Sequence, residues 1–215
     1  MRLLSDSIGR KVVMAITGLL MVLFVVGHLL GNLSIFAGAN ALNAYAEKLH
    51  GLPALVWATR VVMLTAVVLH IVVSVQLTLE NRAAKPTAYA VDRRLRATFA
   101  SKNMIWTGLL LGAFITFHLF HFTIRAVPGL DIVQVHDALG RYDVFAMVVD
   151  GLGKAVTAAV YLVAMAALFL HLSHGIQSTF QSLGLNNAKT MPGFVKFGAA
   201  LSLIFLLGYG SIPVA

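Results

Sequence analysis

Apolar and polar stretches alternate along this chain on a scale far longer than one helical turn. Five nearly uninterrupted apolar runs, at about 12–36, 55–79, 104–127, 149–180 and 195–212, are separated by short segments that hold almost all of the charge. At ~1.5 Å of rise per residue, ~20 apolar residues cross a hydrocarbon core, so each run has the length of a membrane span. The pattern predicts an all-α integral membrane bundle of five transmembrane helices, forming one domain over 1–215. The longest inner connection, 80–103, has no pattern of an independent domain.

Composition supports the same reading. Hydrophobic residues make up 59% and charged residues 11%, with a mean hydropathy of +0.87, too little polar surface to coat a soluble globule. The absence of cysteine excludes disulfides, thiolate zinc sites, iron–sulphur ligation within this chain and cysteine nucleophiles. Metal chemistry would have to run through histidine, of which there are eight. The net charge of +8 comes with no run of five like charges, which argues against a nucleic-acid partner. Its distribution instead sets a topology. Arg2, Arg10, Lys11, Arg82, Lys85, Arg93, Arg94, Arg96, Lys102, Lys189 and Lys196 fall on one side of the five spans; Lys48, Arg60, Arg125, Arg141 and Lys154 fall on the other. The positive-inside rule then predicts a cytoplasmic N-terminus and an external C-terminus. Arg10 and Lys11 before an apolar run, with Ala37-Gly38-Ala39 after it, resemble a signal peptide, but the run is longer than a signal core, so a span is expected. All eight acidic residues lie in loops or at helix ends, and no paired carboxylate or Ser-His-Asp order suggests hydrolytic chemistry.

An internal repeat selects particular histidines. MAITGLLMVLFVVGHL at 14–29 and MIWTGLLLGAFITFHL at 104–119 are identical at eight of sixteen positions, pairing Thr17 with Thr107, Gly18 with Gly108, Phe24 with Phe114 and His28 with His118. A weaker echo between the second and fourth runs pairs Leu69-His70 with Leu170-His171, Gln76 with Gln177 and Thr78 with Thr179. Parallel repeats about an axis along the membrane normal put equivalent residues at equal depth. From the inner helix ends His28 and His118 lie ~24 and ~21 Å deep, and His70 and His171 ~15 Å. Two level pairs at different depths cannot converge on one ion, but each can clamp a flat macrocycle between two helices. The expectation is a core of four helices from a duplicated helix pair, with one peripheral helix, holding two bis-histidine haems. Gly27, Gly31 and Gly175 are candidate openings for a porphyrin edge, or plain helix-packing positions. His121, in FHLFHFT, and His174 have no counterpart in the repeat and are expected to hydrogen-bond; His121 would support a ligand or a haem propionate from outside.

The stretches SIGRKVVMAITG, GHLLGNL, NAYAEKLH, ASKNMIWTG, FHLFHFT and HLSHGIQSTFQSLGLNN together resemble the five-helix, dihaem cytochrome b membrane-anchor subunit of succinate dehydrogenases and fumarate reductases, over nearly the whole chain. The resemblance implies two haem b groups with axial ligands His28, His70, His118 and His171, one from each of the first four spans: His28/His118 for the outer haem and His70/His171 for the inner. It implies a flavoprotein subunit and an iron–sulphur subunit docked on the cytoplasmic side of a bacterial inner membrane, with electrons passing through the haems to a quinone, menaquinone rather than ubiquinone. This chain would do no succinate chemistry itself. An outer quinone site would be bordered by Tyr45, Glu47, Lys48 and His50 in the loop NAYAEKLHG, unless that segment is only a solvated loop; an inner alternative uses Ser101, Lys102 and Trp106. His136, Asp131, Asp137 and Asp143 are read as polar surface. Three rivals stay open: a dihaem anchor of a hydrogenase or formate dehydrogenase, a histidine-using transporter, and a haem-free anchor.

Overall fold

The computed structural model describes residues 6–84, 97–130 and 135–215. Its helices are α1 (Ser7–Asn32), α2 (Ala39–His50), α3 (Pro53–Ala83), α4 (Phe99–Lys102), α5 (Met104–His118), α6 (Val144–Gly153), α7 (Ala155–Ser182) and α8 (Met191–Ser211). Tighter turns at Leu33–Ala37 and Ile212–Val214 prolong α1 and α8, and a wider π turn at Leu119–Ile124 prolongs α5. Five segments are long and apolar enough to cross a membrane: Ser7–Ala37, Pro53–Ala83, Met104–Ile124, Ala155–Ser182 and Met191–Val214. The chain is therefore an all-α, multi-pass membrane protein. The end of the bundle where α1 begins and α3 finishes is called inner below, and the opposite end outer. Arg2, Lys85, Arg93, Arg94, Arg96 and Asp131 lie outside the described residues.

The outside of the bundle is apolar. Leu23, Leu30, Val61, Leu64, Val163 and Leu207 all face outward, where a soluble protein would place charge. Trp57, beneath the Arg60 guanidinium at 5.0 Å, and Trp106 are exposed near opposite ends, as interfacial anchors are.

Helix α1 packs on α3, and α5 on α7, so the two halves of the repeat form two like helix pairs. Asp6 caps α1 by accepting from the Gly9 amide, and Arg10 pairs with Glu80 to tie the inner ends of α1 and α3 together. The last helix, expected at the periphery, packs chiefly along α7, with a smaller contact to α1. Helix α8 contributes Phe205, 1% exposed, to a buried cluster with Leu29 of α1 and Leu172 and Ile176 of α7. Two glycines let it approach so closely: a methyl group at Gly208 would sit 3.0 Å from Leu29, and one at Gly198 would sit 3.3 Å from Ile176. The Tyr209 hydroxyl also donates to the Val25 carbonyl at 2.7 Å.

Two further expectations change. The fourth apolar run, 149–180, is not one helix. It breaks at Lys154, whose backbone is extended (φ −81, ψ 123), after the Gly151-Leu152-Gly153 stretch that weakens helical preference. The segment NAYAEKLH is not a loop but most of α2, a helix favoured by Ala39, Ala41, Ala44 and Ala46, which enters from Gly38 at φ +91. Leu42, Asn43 and Ala46 form its buried face.

Candidate functional site

The repeat acquires a physical meaning in the contacts of its Thr-Gly pairs. The Thr17 hydroxyl donates back along α1 to the Val13 and Met14 carbonyls at 2.8 and 3.1 Å, so its proton is committed to the backbone. Its oxygen lies 3.1 Å from Nδ1 of His70 on α3, which is also 3.1 Å from the Met14 carbonyl. A carbonyl can only accept. His70 therefore carries its proton on Nδ1, donates it to α1, and leaves the Nε2 lone pair free. One repeat later the arrangement recurs: the Thr107 hydroxyl donates to Asn103 and Met104 at 3.1 Å, and accepts from Nδ1 of His171 on α7 at 3.1 Å. The following glycines make room. A methyl group at Gly18 would lie 3.3 Å from His70 Cε1, and one at Gly108 would lie 3.2 Å from His171 Cε1, both tighter than ordinary contact.

These paired contacts set depth as well as tautomer. Thr17 and Thr107 are equivalent positions on α1 and α5, so each repeat holds its histidine against the same turn of the preceding helix. Tautomer also separates His171 from its neighbour. The Gln177 amide nitrogen lies 2.9 Å from Nδ1 of His174 and donates to it, which puts the His174 proton on Nε2, the wrong nitrogen for ligation through that atom.

The outer pair is also brought together, by other means. The rings of His28 and His118 lie 6.0 Å apart, close to the spacing of two imidazoles joined to one ion by bonds of ~2 Å. His28 stacks on Phe24 at 5.3 Å and faces Tyr209 at 6.1 Å. His118 meets the hydroxyl of Tyr161 on α7 at 3.1 Å, and the same hydroxyl lies 3.0 Å from Nδ1 of His121. The π turn begins just after His118 and shares one tyrosine between both histidines, a local distortion that often marks a working site. Tyr161 stands ten residues before His171 on α7, so the two pairs are ~15 Å apart along the bundle.

His121 is the most buried histidine, at 1% exposure, enclosed by Phe117, Phe122 and Gly151 of α6. Its Nε2 has no hydrogen-bond partner, nor has the buried Thr157 hydroxyl one turn before Tyr161. An unpaired buried polar group costs about 1–3 kcal/mol, so this end of α7 is under polar tension.

Among the described residues, no group of three or more histidine and acidic side chains is placed to hold a metal ion. A group held between His28 and His118 would have to bring its other ligands with it. Of the candidate porphyrin openings, the space at Gly31 is filled by the Tyr45 ring, 2.5 Å from where a methyl group would stand, whereas Gly27 faces open space and Gly175 meets only Met104 at 3.9 Å. A cavity of about 410 Å³ between α1 and α7 at the inner end is lined by Lys11, Met14, Ser178 and Gln181.

The other predicted residues are dispersed. Glu47, Lys48 and His50 are exposed on α2, and His50 donates to its own helix at the Ala46 carbonyl. Thr98 caps α4 by accepting from the Ser101 amide, the Ser101 hydroxyl donates back to the Thr98 carbonyl, Lys102 is exposed at the helix end, and Trp106 faces outward. The reading of Asp137 and Asp143 as plain surface is corrected. The buried Asn43 side chain donates to Asp137 at 3.3 Å and to Asp143 at 3.0 Å, and accepts from the Phe145 amide at 3.0 Å. Arg141 clamps Asp137 and reaches Asn40. These contacts latch α2 over the outer end; His136 remains exposed against Tyr142. Sequence reasoning missed Tyr161 and Asn43, since neither belongs to the repeat, and it aligned Thr17 and Thr107 without seeing their task. No family model, curated protein or solved structure matches this chain.

Proposed function

We propose that this chain is the dihaem cytochrome b membrane anchor of a succinate:quinone oxidoreductase, with His70 and His171 holding an inner haem b and His28 and His118 an outer one. The observation that carries the reading is the doubled cradle in which Thr17 and Thr107 each take the Nδ1 proton of a level histidine. That geometry leaves both Nε2 lone pairs free, as axial ligation requires, and anchors each imidazole through its other nitrogen. Bound haem supplies a one-electron couple within hydrocarbon. The chain's own part is to orient four imidazoles, exclude water with the surrounding phenylalanines, and present Lys11 with Ser178 and Gln181 at the inner cleft, a set suited to carboxylates.

The donor would be an iron–sulphur subunit, with its flavoprotein, docked on the basic inner side, which we take as cytoplasmic in a bacterial inner membrane. The acceptor would be a quinone, menaquinone in preference, at the outer end near Tyr45, Glu47, Lys48 and His50. Support for that side comes from Tyr45 packing one turn from His28, and from an apolar cavity of about 400 Å³ among Phe36, Phe145, Leu152 and Pro213. Glu47→Gln should slow succinate-to-quinone turnover while both haems stay reducible; unchanged turnover would move the site elsewhere.

The test is a reduced-minus-oxidised spectrum and a pyridine haemochrome count on the purified chain, expected to give a b-type signal and two haems per chain. No haem would return the chain to the transporter or haem-free readings. Haem without co-purifying flavin and succinate-dependent reduction would favour a hydrogenase or formate dehydrogenase anchor.

A further inference from the structure

The hydroxyl of Tyr161 has one proton and faces two imidazole nitrogens, Nδ1 of His118 at 3.1 Å and Nδ1 of His121 at 3.0 Å. We infer that His121 is a positioning residue for His118, acting through Tyr161 in a hydrogen-bonded chain of fixed polarity. The inference rests on the haem reading, because its direction follows from the nitrogen that His118 must keep free. For Nε2 of His118 to serve as a ligand, its proton must be on Nδ1 and be donated to the tyrosine oxygen. The single tyrosine proton then has one place to go, Nδ1 of His121. His121 must in turn carry its proton on Nε2. The two histidines are thus held as opposite tautomers, one able to ligate and one not.

The surroundings support a fixed chain rather than an adaptable one. His121 is 1% and Tyr161 9% exposed, so solvent cannot supply a competing partner. Phe114, Phe117 and Phe122 pack around the tyrosine ring at 5.0, 6.1 and 5.9 Å, and Phe117 stacks on His121 at 5.2 Å. On the other side Gly151 of α6 allows the approach: a methyl group there would lie 2.7 Å from Phe122 and 3.4 Å from His121. His121 Nε2 is buried without a partner, so the chain ends at that residue. A threonine whose proton is committed to its own helix does this work for the inner pair. At the outer pair a tyrosine does it, and a tyrosine needs a second acceptor to keep its proton turned away from the ligand.

Donation from Nδ1–H makes an imidazole more basic toward a metal and favours the oxidised iron. In the haem-loaded chain, Tyr161→Phe should therefore raise the midpoint potential of the outer haem and shift its ferric low-spin resonance, leaving the inner haem unmoved. His121→Leu should perturb the same haem, and the double variant should go no further than the larger single change. His121→Asn, whose amide oxygen can accept from Tyr161 near the former Nδ1, should restore wild-type values. The inference is overturned if Tyr161→Phe and His121→Leu both leave the outer haem's potential and resonance unchanged. It is equally overturned if His121→Leu removes the outer haem while His118→Ala keeps it. A wild-type chain without haem would bring down the haem reading and this inference together, an outcome distinct from either.

Discussion

The inner and outer histidine pairs do the same geometric task by different means. At the inner level each imidazole is held by a threonine on the neighbouring helix, with a glycine beside it to admit the ring, and the device is copied once per repeat. At the outer level His28 is packed between aromatic rings, while His118 depends on a tyrosine that it shares with His121. Two short helices, α2 and α6, close over that end, joined through Asn43 and Asp143. Duplication of a helix pair copies what lies within the pair; it cannot copy what a later turn or capping helix adds. The inner device is therefore self-contained within the repeat, and the outer one depends on elements that lie outside it.

The strongest way to break the comparison is to remove one ligand from each level. His118→Ala should leave one haem of two, the outer being lost, and His171→Ala should leave the complementary one, as read by pyridine haemochrome and by potentiometry. Loss of both haems from either variant would mean that the levels are not separate sites.

A finer cut uses the threonines. Thr17→Val and Thr107→Val each delete a hydroxyl that accepts from a half-buried imidazole, at a cost of about 0.5–1.5 kcal/mol apiece. Both should raise the potential of the same haem, the inner one, although they lie on different helices. If each moved a different haem, the pairing of His70 with His171 would be wrong.

Smaller again, as seen at the haems, is the effect of loosening the outer cover. Asn43→Ala strands the Phe145 amide and unties α2 from Asp137 and Asp143, so a loss of about 1–3 kcal/mol is expected. Protease cleavage within 39–50 should quicken, with the inner haem's spectrum unchanged; an altered inner haem would show that the two ends are coupled.

The least effect is a dependence on acid. The Arg141 guanidinium, helped by backbone amides and Asn43, holds the Asp137 carboxyl down at about 2. A carboxyl lower in the folded than in the unfolded state stabilises fully above the unfolded value of ~3.9, and that contribution drains as pH falls toward about 2. Cleavage of α2 should thus be flat from pH 7 to 5 and rise below pH 4, and Asp137→Asn should remove the rise. A rise already complete at pH 5 would point to another group.

The five spans were legible because length and uniform apolarity decide them, and lipid demands both. The equivalence of His28 with His118 and of His70 with His171 was legible because a repeat writes the same residues twice. Other features needed the folded chain. Helix α2 reads as a loop because its few apolar positions find cover only when α6 and the segment 135–144 fold against it. The division of the fourth run into α6 and α7 follows from a backbone break at Lys154 that hydropathy cannot register. Which helices α8 packs against was not legible, because its partners, Leu29 and Ile176, are ordinary apolar residues until Gly198 and Gly208 bring the helices together.

The sequence by itself determined that the chain lives in a membrane, how many times it can cross, and which four histidines are equivalent in pairs, since periodicity and length are properties of the chain alone. Which nitrogen of His70 and of His171 carries the proton was decided only by tertiary structure. A tautomer is set by the partner across the gap, and Thr17 meets His70, Thr107 meets His171, and Tyr161 meets both His118 and His121 only after residues 40 to 64 positions apart in the chain have been packed side by side.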